Sequence, residues 1–374
     1  MYEDIENYLE RLITESTPDK PFWNIESIRQ GKPAHWNYID GCMITALLSL
    51  ADLTGDKRYY DFAENFIDYY VSEDGSILGY NIDKYNLDDV NEGRVLFELY
   101  KKTGKEKYEK AIKLLKKQLD GQPRTVTGNF WHKKIYPNQI WLDGIYMAQV
   151  FSALYAKNYL SGDYKDIEDQ ISNVEKLMKD SETGLYFHGC DCSKEAFWAD
   201  KNTGCSKNFW LRSIGWFSVA LADLVEICDG EAKKTFSRIL SDLLNNISRF
   251  ADKETGIYYQ VVDKGSLEGN YLETSGSCMI AYAMLKGARL GLVSKELGMF
   301  GQKTFNGICK KYLKNTAEGM SLGGICLVAG LGPENNPRRD GSFEYYISEP
   351  VVENDAKGVA PFVLCYTEIL RLNK

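Results

Sequence analysis

A loop in which threonine and glycine precede aromatic residues recurs along the chain and restricts the folds that this chain can adopt. The loops at Gly128, Gly184 and Gly256 share this order, and weaker copies occur at Gly75 and Gly319. Successive glycines are separated by 53, 56, 72 and 63 residues. Each interval is long enough for one helical hairpin and a loop, and internal periods of this size indicate stacked supersecondary units.

The segments between these loops have the pattern of helices. Apolar residues recur in them at three- and four-residue spacing, and the strict alternation of strands is rare. Short Thr-Gly turns at Gly55 and Gly104 join two helix pairs, because glycine after a helix supplies a left-handed cap. Twelve helices are predicted, at residues 2–14, 39–53, 57–71, 88–102, 105–119, 138–160, 164–179, 206–228, 230–250, 272–291, 295–313 and 355–372.

The predicted fold class is all-α, an (α/α)6 barrel of six helical hairpins that forms one domain over residues 1–374. Closure buries each inner helix and avoids the exposed ends of an open solenoid. An open solenoid with a protein-binding groove is the structural alternative. The aromatic glycine loops decorate one end of the barrel, where we expect a cleft.

Charge and cysteine usage narrow the possible partners. The formal charge is −8, without a Lys/Arg-rich block, which argues against nucleic acid and anionic membranes. The longest apolar stretches, 42–53 and 147–156, are too short for a membrane span, and the N-terminal segment lacks the pattern of a signal peptide.

Nine scattered cysteines predict reduced thiols and a cytoplasmic location. Cys190 and Cys192, with Cys205 beyond them, lack the spacing of zinc knuckles, so they are interpreted as loop thiols and no metal is expected.

Asp143 is the first candidate for chemistry. It is enclosed by Trp141, Leu142, Ile145 and Tyr146 at the start of a strongly apolar predicted helix. In one interpretation it caps this helix, since a carboxylate near an N-terminus accepts backbone N–H bonds. In the other, its apolar surroundings raise its pKa and keep it protonated as a general acid.

Two adjacent acids, Asp88 and Asp89, begin another predicted inner helix, and both are not needed as caps. If one of them faces Asp143, the two like charges separate their titrations and leave one group protonated and the other ionised. The sequence leaves open which of the two faces the cleft.

Aromatic and basic residues form the third candidate. Arg212 and Trp216 are four residues apart and share one face of a predicted helix, while His188 follows an aromatic pair. Tryptophan stacks on sugar rings, and arginine binds hydroxyls or a carboxylate. The structural alternative is an amphipathic helix with one snorkelling arginine. Five of the seven tryptophans fall in these polar segments: Trp36, Trp131, Trp141, Trp210 and Trp216.

These motifs, taken in order, resemble the unsaturated rhamnogalacturonyl hydrolases of glycoside hydrolase family 105. The related unsaturated glucuronyl hydrolases share the fold and chemistry with looser motifs. The segments that carry the resemblance are 36–38, 87–88, 130–147, 183–188, 210–216, 273–277 and the tail 340–358, which includes Tyr346.

The resemblance implies an (α/α)6 barrel, a monomer or weak homodimer, no cofactor and no metal. It also implies a small unsaturated oligosaccharide, made by a polysaccharide lyase, as substrate. Asp143 would protonate the C4=C5 double bond and then activate water, and Asp88 would bind hydroxyls and modulate Asp143. The implied substrate-binding residues are Asn37, Tyr38, His132, Lys133, Tyr136, Trp141, His188, Arg212 and Trp216.

Some departures from the family pattern leave the leaving sugar open. Asn37 stands where one branch has histidine, Cys190 and Cys192 follow His188 where that branch has a tryptophan nearby, and residues 333–340 lengthen a loop. Three hypotheses remain. The first is hydrolysis of lyase-generated rhamnogalacturonan fragments, the second is action on other lyase products, and the third is a non-catalytic oligosaccharide-binding helical protein.

Overall fold

The protein is described by a computed structural model that covers residues 1–372; residues 373 and 374 of the predicted domain lie outside the described residues. Twelve helical segments build the body of the structure. They are α1 (Tyr2–Thr14), α3 (Tyr38–Thr54), α4 (Lys57–Tyr70), α5 (Asp88–Asn91) continued by α6 (Val95–Thr103), α7 (Glu106–Gly121), α8 (Leu142–Tyr159), α9 (Lys165–Met178), α10 (Leu211–Ile227), α11 (Gly230–Ile247), α12 (Thr274–Arg289), α13 (Lys295–Tyr312) and α15 (Ala356–Leu372).

Six of these segments form a closed inner ring. In the order α3, α5–α6, α8, α10, α12 and α15, each packs on the next, and α15 packs back on α3. The outer helices are α4, α7, α9, α11 and α13, and α1 completes the outer layer. It packs on α15, with the rings of Tyr8 and Phe362 6.5 Å apart. The predicted (α/α)6 barrel is thereby confirmed, and its sixth helix pair joins the first predicted helix to the last.

The two layers differ in sequence as burial requires. In α10 every residue from Leu211 to Val225 is buried, so this inner helix is surrounded by protein on all sides. In α11 the buried residues recur at three- and four-residue spacing and include Phe236, Leu240 and Leu243. Such an apolar stripe is typical of a helix with one face in solvent.

The repeated glycine loops connect outer helices to the next inner helix. Gly128, Gly184 and Gly256 all have positive φ, at 90°, 71° and 75°. Their N–H groups close tight turns on the carbonyls of Thr125, Asp180 and Asp252 over 2.8–2.9 Å. The left-handed backbone explains why glycine recurs at these positions. The loops therefore lie at the end of the barrel where the inner helices begin.

Several predicted helix bounds were wrong, for local reasons. Residues 139–141 are not helical, because β1 (Gln139–Trp141) pairs antiparallel with β2 (Gly189–Asp191). The predicted helix 206–228 begins only at Leu211. The predicted helix 88–102 becomes a 3-10 turn at Glu92–Arg94. There Gly41 brings the α3 backbone so close that a Cβ atom would lie 2.5 Å from Glu92 Cα.

Short elements between the main helices were not predicted. They are α2 (Ile25–Gln30), α14 (Phe343–Ser348), the hairpin β3 (Leu313–Thr316) with β4 (Gly319–Leu322), and the pair β5 (Ile325–Cys326) with β6 (Val351–Val352). Two to six residues are too few to show a hydrophobic period. Within residues 1–372, no helix is long and apolar enough to cross a membrane.

Candidate active site

Polar residues gather where the six inner helices begin. Because the N-terminus of each helix carries a partial positive charge, this end of the barrel favours an anion. The residues at these starts are Asn37 before α3, Asp88 in α5, Asp143 in α8, Arg212 in α10, Glu273 before α12 and Asp355 before α15.

Asp143 faces a histidine across the β1–β2 pair. Its Oδ2 lies 3.2 Å from His188 Nε2, and the Leu142 N–H donates to the His188 carbonyl over 3.1 Å. His188 Nδ1 lies 2.7 Å from the Tyr346 hydroxyl. His188 is fully buried and Asp143 is 9% exposed. Asp143 is thus a carboxyl group held against one imidazole that has a fixed second partner.

The pKa of Asp143 moves in the direction opposite to the expected one. Burial is the largest effect and raises this pKa, but His188 and His132 together lower it below its ordinary value. The apolar surroundings act in the expected direction, but the two neighbouring imidazoles outweigh them. Burial lowers the pKa of His132 to about 4, so His132 is neutral at pH 7. The contact with His188 is the largest of the effects that lower the pKa of Asp143.

Asp88 is held by a lysine. Lys133 Nζ donates to Asp88 Oδ2, and His132 Nε2 lies 3.7 Å from Asp88 Oδ1. Burial lowers the pKa of Lys133, but the carboxylate of Asp88 raises it to a net value above the ordinary one. Lys133 therefore keeps its charge and neutralises Asp88.

Asp89, the neighbouring acid, lines the same cavity as Asp88 but has other hydrogen-bond partners. Its Oδ1 accepts a 2.9 Å hydrogen bond from the Asn86 side chain, and its backbone carbonyl accepts one from the Trp36 indole over 2.7 Å. Burial and the charge of Asp88 raise the pKa of Asp89 to about 6. Of the two adjacent acids, Asp88 is the one in contact with predicted site residues.

Stacked rings line the site beside Asp143. Trp141 is stacked on both His132, at 4.5 Å, and Tyr136, at 4.7 Å, and its ring also contacts His188 edge-on at 5.4 Å. Trp210 lies behind His188, with ring centres 4.6 Å apart. The segment around Asp143 therefore forms one continuous aromatic wall.

Arg212 is buried with spare donors. It is 1% exposed, and its Nη2 donates to the Cys326 carbonyl. Its Nε and Nη1 have no hydrogen-bond partner among the described residues. Burial lowers the pKa of Arg212, but Cys326 and Glu273 raise it to a net value above the ordinary one, so the guanidinium is charged. Buried unpaired donors of this kind are costly unless a ligand uses them.

Trp216 belongs to a column of aromatic rings deeper in the barrel. Its ring is stacked on Tyr146 at 4.7 Å, and Tyr38 meets it edge-on at 6.1 Å. Beneath Tyr146 lies the guanidinium of Arg94, 5.3 Å from the ring centre. Because α3 and α10 stand opposite each other in the ring, this column of side chains crosses the barrel axis.

A cleft of about 500 Å³ opens beside these residues. Its lining includes four of the predicted residues, Asn37, Tyr38, Asp88 and Lys133. The Asn37 side chain also caps α3, since its Oδ1 accepts a 2.7 Å hydrogen bond from the Ile39 N–H. Asp143, His188, Arg212 and Trp216 do not line this cleft and lie deeper in the barrel.

Other polar residues near the site were not singled out from the sequence. Lys357 Nζ lies 3.0 Å from both Glu26 and Asp355 at the start of α15. The sequence indicated Tyr346 only through the family-like tail, residues 340–358. The extended loop 333–340 folds toward the aromatic wall: a Cβ atom on Gly330 would lie 3.2 Å from Arg339 and 3.4 Å from Trp141.

Among residues 1–372, no three His, Cys, Asp or Glu side chains come together as ligands for a metal ion.

Known proteins are similar to this chain in fold and in sequence. The sequence profile described as Glycosyl Hydrolase Family 88 matches residues 13–373. A glycoside hydrolase of family 105 from C. acetobutylicum ATCC 824 is 40% identical, with a TM-score of 0.88 over 96% of this chain and 99% of that chain. Protein Atu3128 of Agrobacterium fabrum is 38% identical over 219 residues, 55% of this chain and 91% of that protein.

A more distant structure shares the fold alone. The unsaturated glucuronyl hydrolase of Bacillus sp. GL1, described as responsible for the degradation of glycosaminoglycan, has a TM-score of 0.61 at 14% identity, over 91% of this chain and 88% of that chain. Fold and matches together define a helical-barrel glycoside hydrolase. The chain belongs to Glycosyl Hydrolase Family 88, and the resemblance to family 105 is confirmed by the relative from C. acetobutylicum.

Proposed function

We propose that this glycoside hydrolase removes a 4,5-unsaturated galacturonyl residue from the non-reducing end of lyase-generated rhamnogalacturonan fragments. The observation that carries the proposal is the Asp143–His188 pair at 3.2 Å, beside an Asp88 that is neutralised by Lys133. An ordinary glycosidase uses two carboxyl groups in separate roles. Hydration of a double bond needs only one, which acts first as acid and then as base.

The reaction follows from this single carboxyl group. Asp143 gives its proton to C4 of the unsaturated sugar, and water adds at C5 while Asp143, now a carboxylate, takes a proton from that water. C5 then carries a hydroxyl and the ring oxygen, so it is a hemiketal. When the C5–O ring bond breaks, C5 becomes a ketone and C1 a hemiacetal. The C1–O bond to the remaining sugar chain then breaks, C1 becomes an aldehyde, and the proton of the hemiacetal hydroxyl passes to the oxygen of the leaving sugar.

The resting protein holds Asp143 with a lowered pKa, so substrate must raise its proton affinity before it can act as an acid. A sugar that fills the site excludes water, and loss of water disfavours the charged carboxylate. Substrate binding therefore favours protonation of Asp143. Tyr346 holds the opposite ring nitrogen and fixes the orientation of the imidazole.

The uronic acid carboxylate needs positive partners, which an overall charge of −8 does not supply. Arg212 offers two unpaired donors in a buried position, and the converging helix N-termini add partial positive charge. We assign the carboxylate to Arg212. We assign the other sugar contacts to the remaining predicted residues: Asn37, Tyr38, Asp88, His132, Lys133, Tyr136, Trp141, His188 and Trp216.

The test is the loss of ultraviolet absorbance of the conjugated double bond. We expect lyase-digested rhamnogalacturonan to lose this absorbance on mixing with the protein, and Asp143→Asn to remove the activity. Asp52→Asn, at an exposed position of α3, is the matched control and is expected to retain full activity. Full activity of Asp143→Asn would contradict the mechanism.

A panel of unsaturated disaccharides separates the substrate classes. Preference for a rhamnose-linked disaccharide supports the proposal, whereas preference for a glycosaminoglycan disaccharide assigns the protein to other lyase products. Saturable binding of the panel without loss of the double bond would identify a non-catalytic binding protein.

We also propose that the protein acts in the cytoplasm as a single-domain monomer or weak homodimer. All nine cysteines are free thiols, as a reducing compartment favours. Cell fractionation tests the location, and sedimentation at several protein concentrations tests the oligomeric state. One cooperative unfolding transition is expected for one domain.

A further inference from the structure

Three cysteines meet directly beyond His188. Cys190 and Cys205 are paired across an antiparallel bridge. The flanking hydrogen bonds run from Asp191 N to Gly204 O and from Ser206 N to Gly189 O, both 2.9 Å. This pattern makes Cys190 and Cys205 a non-hydrogen-bonded pair, in which Cα atoms are only about 4.5 Å apart. Disulfides span Cα distances of about 4.4–6.8 Å, so this pair has a suitable backbone.

Cys192 lies next to this pair. It is the first residue after β2, at the start of a turn in which the Ser193 N–H donates to Asp191 Oδ1 over 2.9 Å. The Cys190 thiol interacts with the thiols of both Cys192 and Cys205. Cys192 is half-buried, while Cys190 and Cys205 are buried. The cluster therefore contains one thiol that a small solute reaches and two that it does not.

The surroundings of Cys192 favour its thiolate. A hydrogen bond from Cys190 lowers the pKa of Cys192 most, burial opposes it, and the hydroxyls of Thr127 and Thr125 also lower it, to about 7. The thiolate is the reactive form of cysteine. By contrast, Cys278 and Cys365, which are also neighbours, are both fully buried.

We propose that Cys190, Cys192 and Cys205 form a reversible oxidation site for hydroperoxides, with Cys192 as the reacting thiol and a Cys190–Cys205 disulfide as the product. The Cys192 sulfur attacks a peroxide oxygen; the O–O bond breaks, an S–O bond forms, and hydroxide leaves. The sulfur is oxidised by two electrons and the peroxide is reduced.

Two exchanges complete the reaction. The Cys190 sulfur attacks the Cys192 sulfenic acid, an S–S bond replaces the S–O bond, and the hydroxide leaves as water with the Cys190 proton. Residues two apart have Cα atoms at most about 7 Å apart, near the upper limit for a disulfide. The Cys205 thiolate then attacks Cys190, which forms the Cys190–Cys205 bond and releases Cys192 as a thiolate.

The disulfide would restrain β2, the strand next to the proposed catalytic pair of His188 and Asp143. His188 precedes Cys190 by two residues, and its carbonyl bonds to Leu142 beside Asp143. A covalent bond between Cys190 and Cys205 would fix this strand against the 204–206 segment.

The experiment treats the full-length protein with hydrogen peroxide and maps disulfides by mass spectrometry. We expect a peptide pair linked through Cys190 and Cys205, a thermal midpoint several degrees above that of the reduced protein, and reversal of both by dithiothreitol. Cys192→Ser is expected to slow disulfide formation about tenfold, because the remaining thiols, Cys190 and Cys205, are both buried and less accessible to hydroperoxide. Cys228→Ser, at a buried thiol without cysteine neighbours, is the matched control and is expected to oxidise like the wild type.

Absence of a Cys190–Cys205 linkage in the wild type would overturn the proposal. An unchanged oxidation rate in Cys192→Ser would overturn the role of Cys192. The wild-type mapping stands even if a serine variant fails to fold.

Discussion

His188 and Tyr346, 158 residues apart in the chain, hold each other through a 2.7 Å contact between the imidazole Nδ1 and the phenol oxygen. This contact leaves Nε2 as the nitrogen that faces Asp143. A histidine with one nitrogen fixed presents its other nitrogen in a defined direction and protonation state. Tyr346 is therefore a positioning residue for the pair that we propose to be catalytic.

Tyr346→Phe is expected to lower kcat by about 10- to 100-fold, because losing a buried hydrogen bond costs roughly 1–3 kcal/mol. The alkaline limb of the pH profile of kcat should also move, because Tyr346 positions the imidazole that lowers the pKa of Asp143, whereas a merely structural role would leave the profile in place. Steady-state kinetics on an unsaturated disaccharide measures both. Tyr258→Phe is the control, because the buried Tyr258 hydroxyl has no partner among the described residues. Equal kinetics for the two variants would contradict the role of Tyr346.

Arg212→Lys is expected to lower kcat/KM by about 10- to 100-fold, because a charge-assisted hydrogen bond contributes roughly 1.5–3 kcal/mol. A substrate whose uronic acid is methyl-esterified should lose a similar factor on the wild type. If Arg212 binds the carboxylate, the ester should cause little further loss on the variant. Fully additive losses would separate Arg212 from the carboxylate. Arg249→Lys, at an exposed position, controls for the change of side chain.

The pKa of His132 can be followed directly, since the chain has only three histidines. Its nuclear magnetic resonance signal should titrate near pH 4, because burial lowers this pKa. The positive charge of Lys133 lowers the pKa of His132, and the negative charge of Asp88 raises it. Lys133→Met removes the first effect and leaves Asp88 without its neutralising partner. The midpoint should then rise by about one pH unit or more. The His35 signal is the internal control, and an unmoved His132 midpoint would contradict the ion-pair assignment.

Asp223 anchors the opposite end of the barrel. It accepts hydrogen bonds from Lys286 over 2.9 Å and from Arg94 over 2.6 Å, all three side chains being at least nine-tenths buried. Asp223→Asn leaves the buried Arg94 without a carboxylate, while Lys286 keeps Glu226 at 2.8 Å, and is expected to lower the free energy of unfolding by roughly 3–5 kcal/mol at pH 7. Urea unfolding measures this loss, with Asp52→Asn as the exposed control. A loss as small as that of the control would contradict the assignment.

Unfolding of the wild type and of Asp223→Asn at several pH values also tests the ion pairs of Asp223. Burial raises the pKa of Asp223, but Lys286 and Arg94 lower it to a net value well below the ordinary one. A carboxyl group whose folded-state pKa is depressed contributes fully above its unfolded pKa, about 3.9, and loses that contribution as pH falls toward the folded value. The difference between wild type and Asp223→Asn should thus stay constant from pH 7 to about pH 5 and shrink below about pH 4.

The barrel could be predicted because its signals are local and repeated. Long helices show their period, and the positive φ at Gly128, Gly184 and Gly256 makes glycine recur at one loop position. The segment around Asp143 was also visible, since a carboxyl group among tryptophan and tyrosine is unusual. Local patterns therefore gave the helix order and the place of the candidate site.

The remaining features depend on contacts that no local pattern encodes. β1 and β2 are three residues each and are separated by a whole helix pair, so their pairing was not predicted. The partnership of His188 and Tyr346 spans 158 residues. The lowered pKa of Asp143 also depends on a distant contact. Its apolar neighbours are adjacent in sequence, whereas His188 contacts it only in the folded structure.

The ring column formed by Tyr38, Trp216 and Tyr146, with Arg94 beneath it, has a kinetic consequence. It lies between the cleft lined by Tyr38 and a second cavity, of about 550 Å³, lined by Arg94, so we expect a sugar chain to enter and leave through one mouth without a path along which to slide. The enzyme is therefore expected to be distributive: after each cleavage both products must back out before another chain end enters. Product release through that shared mouth then becomes a step that competes directly with the arrival of substrate.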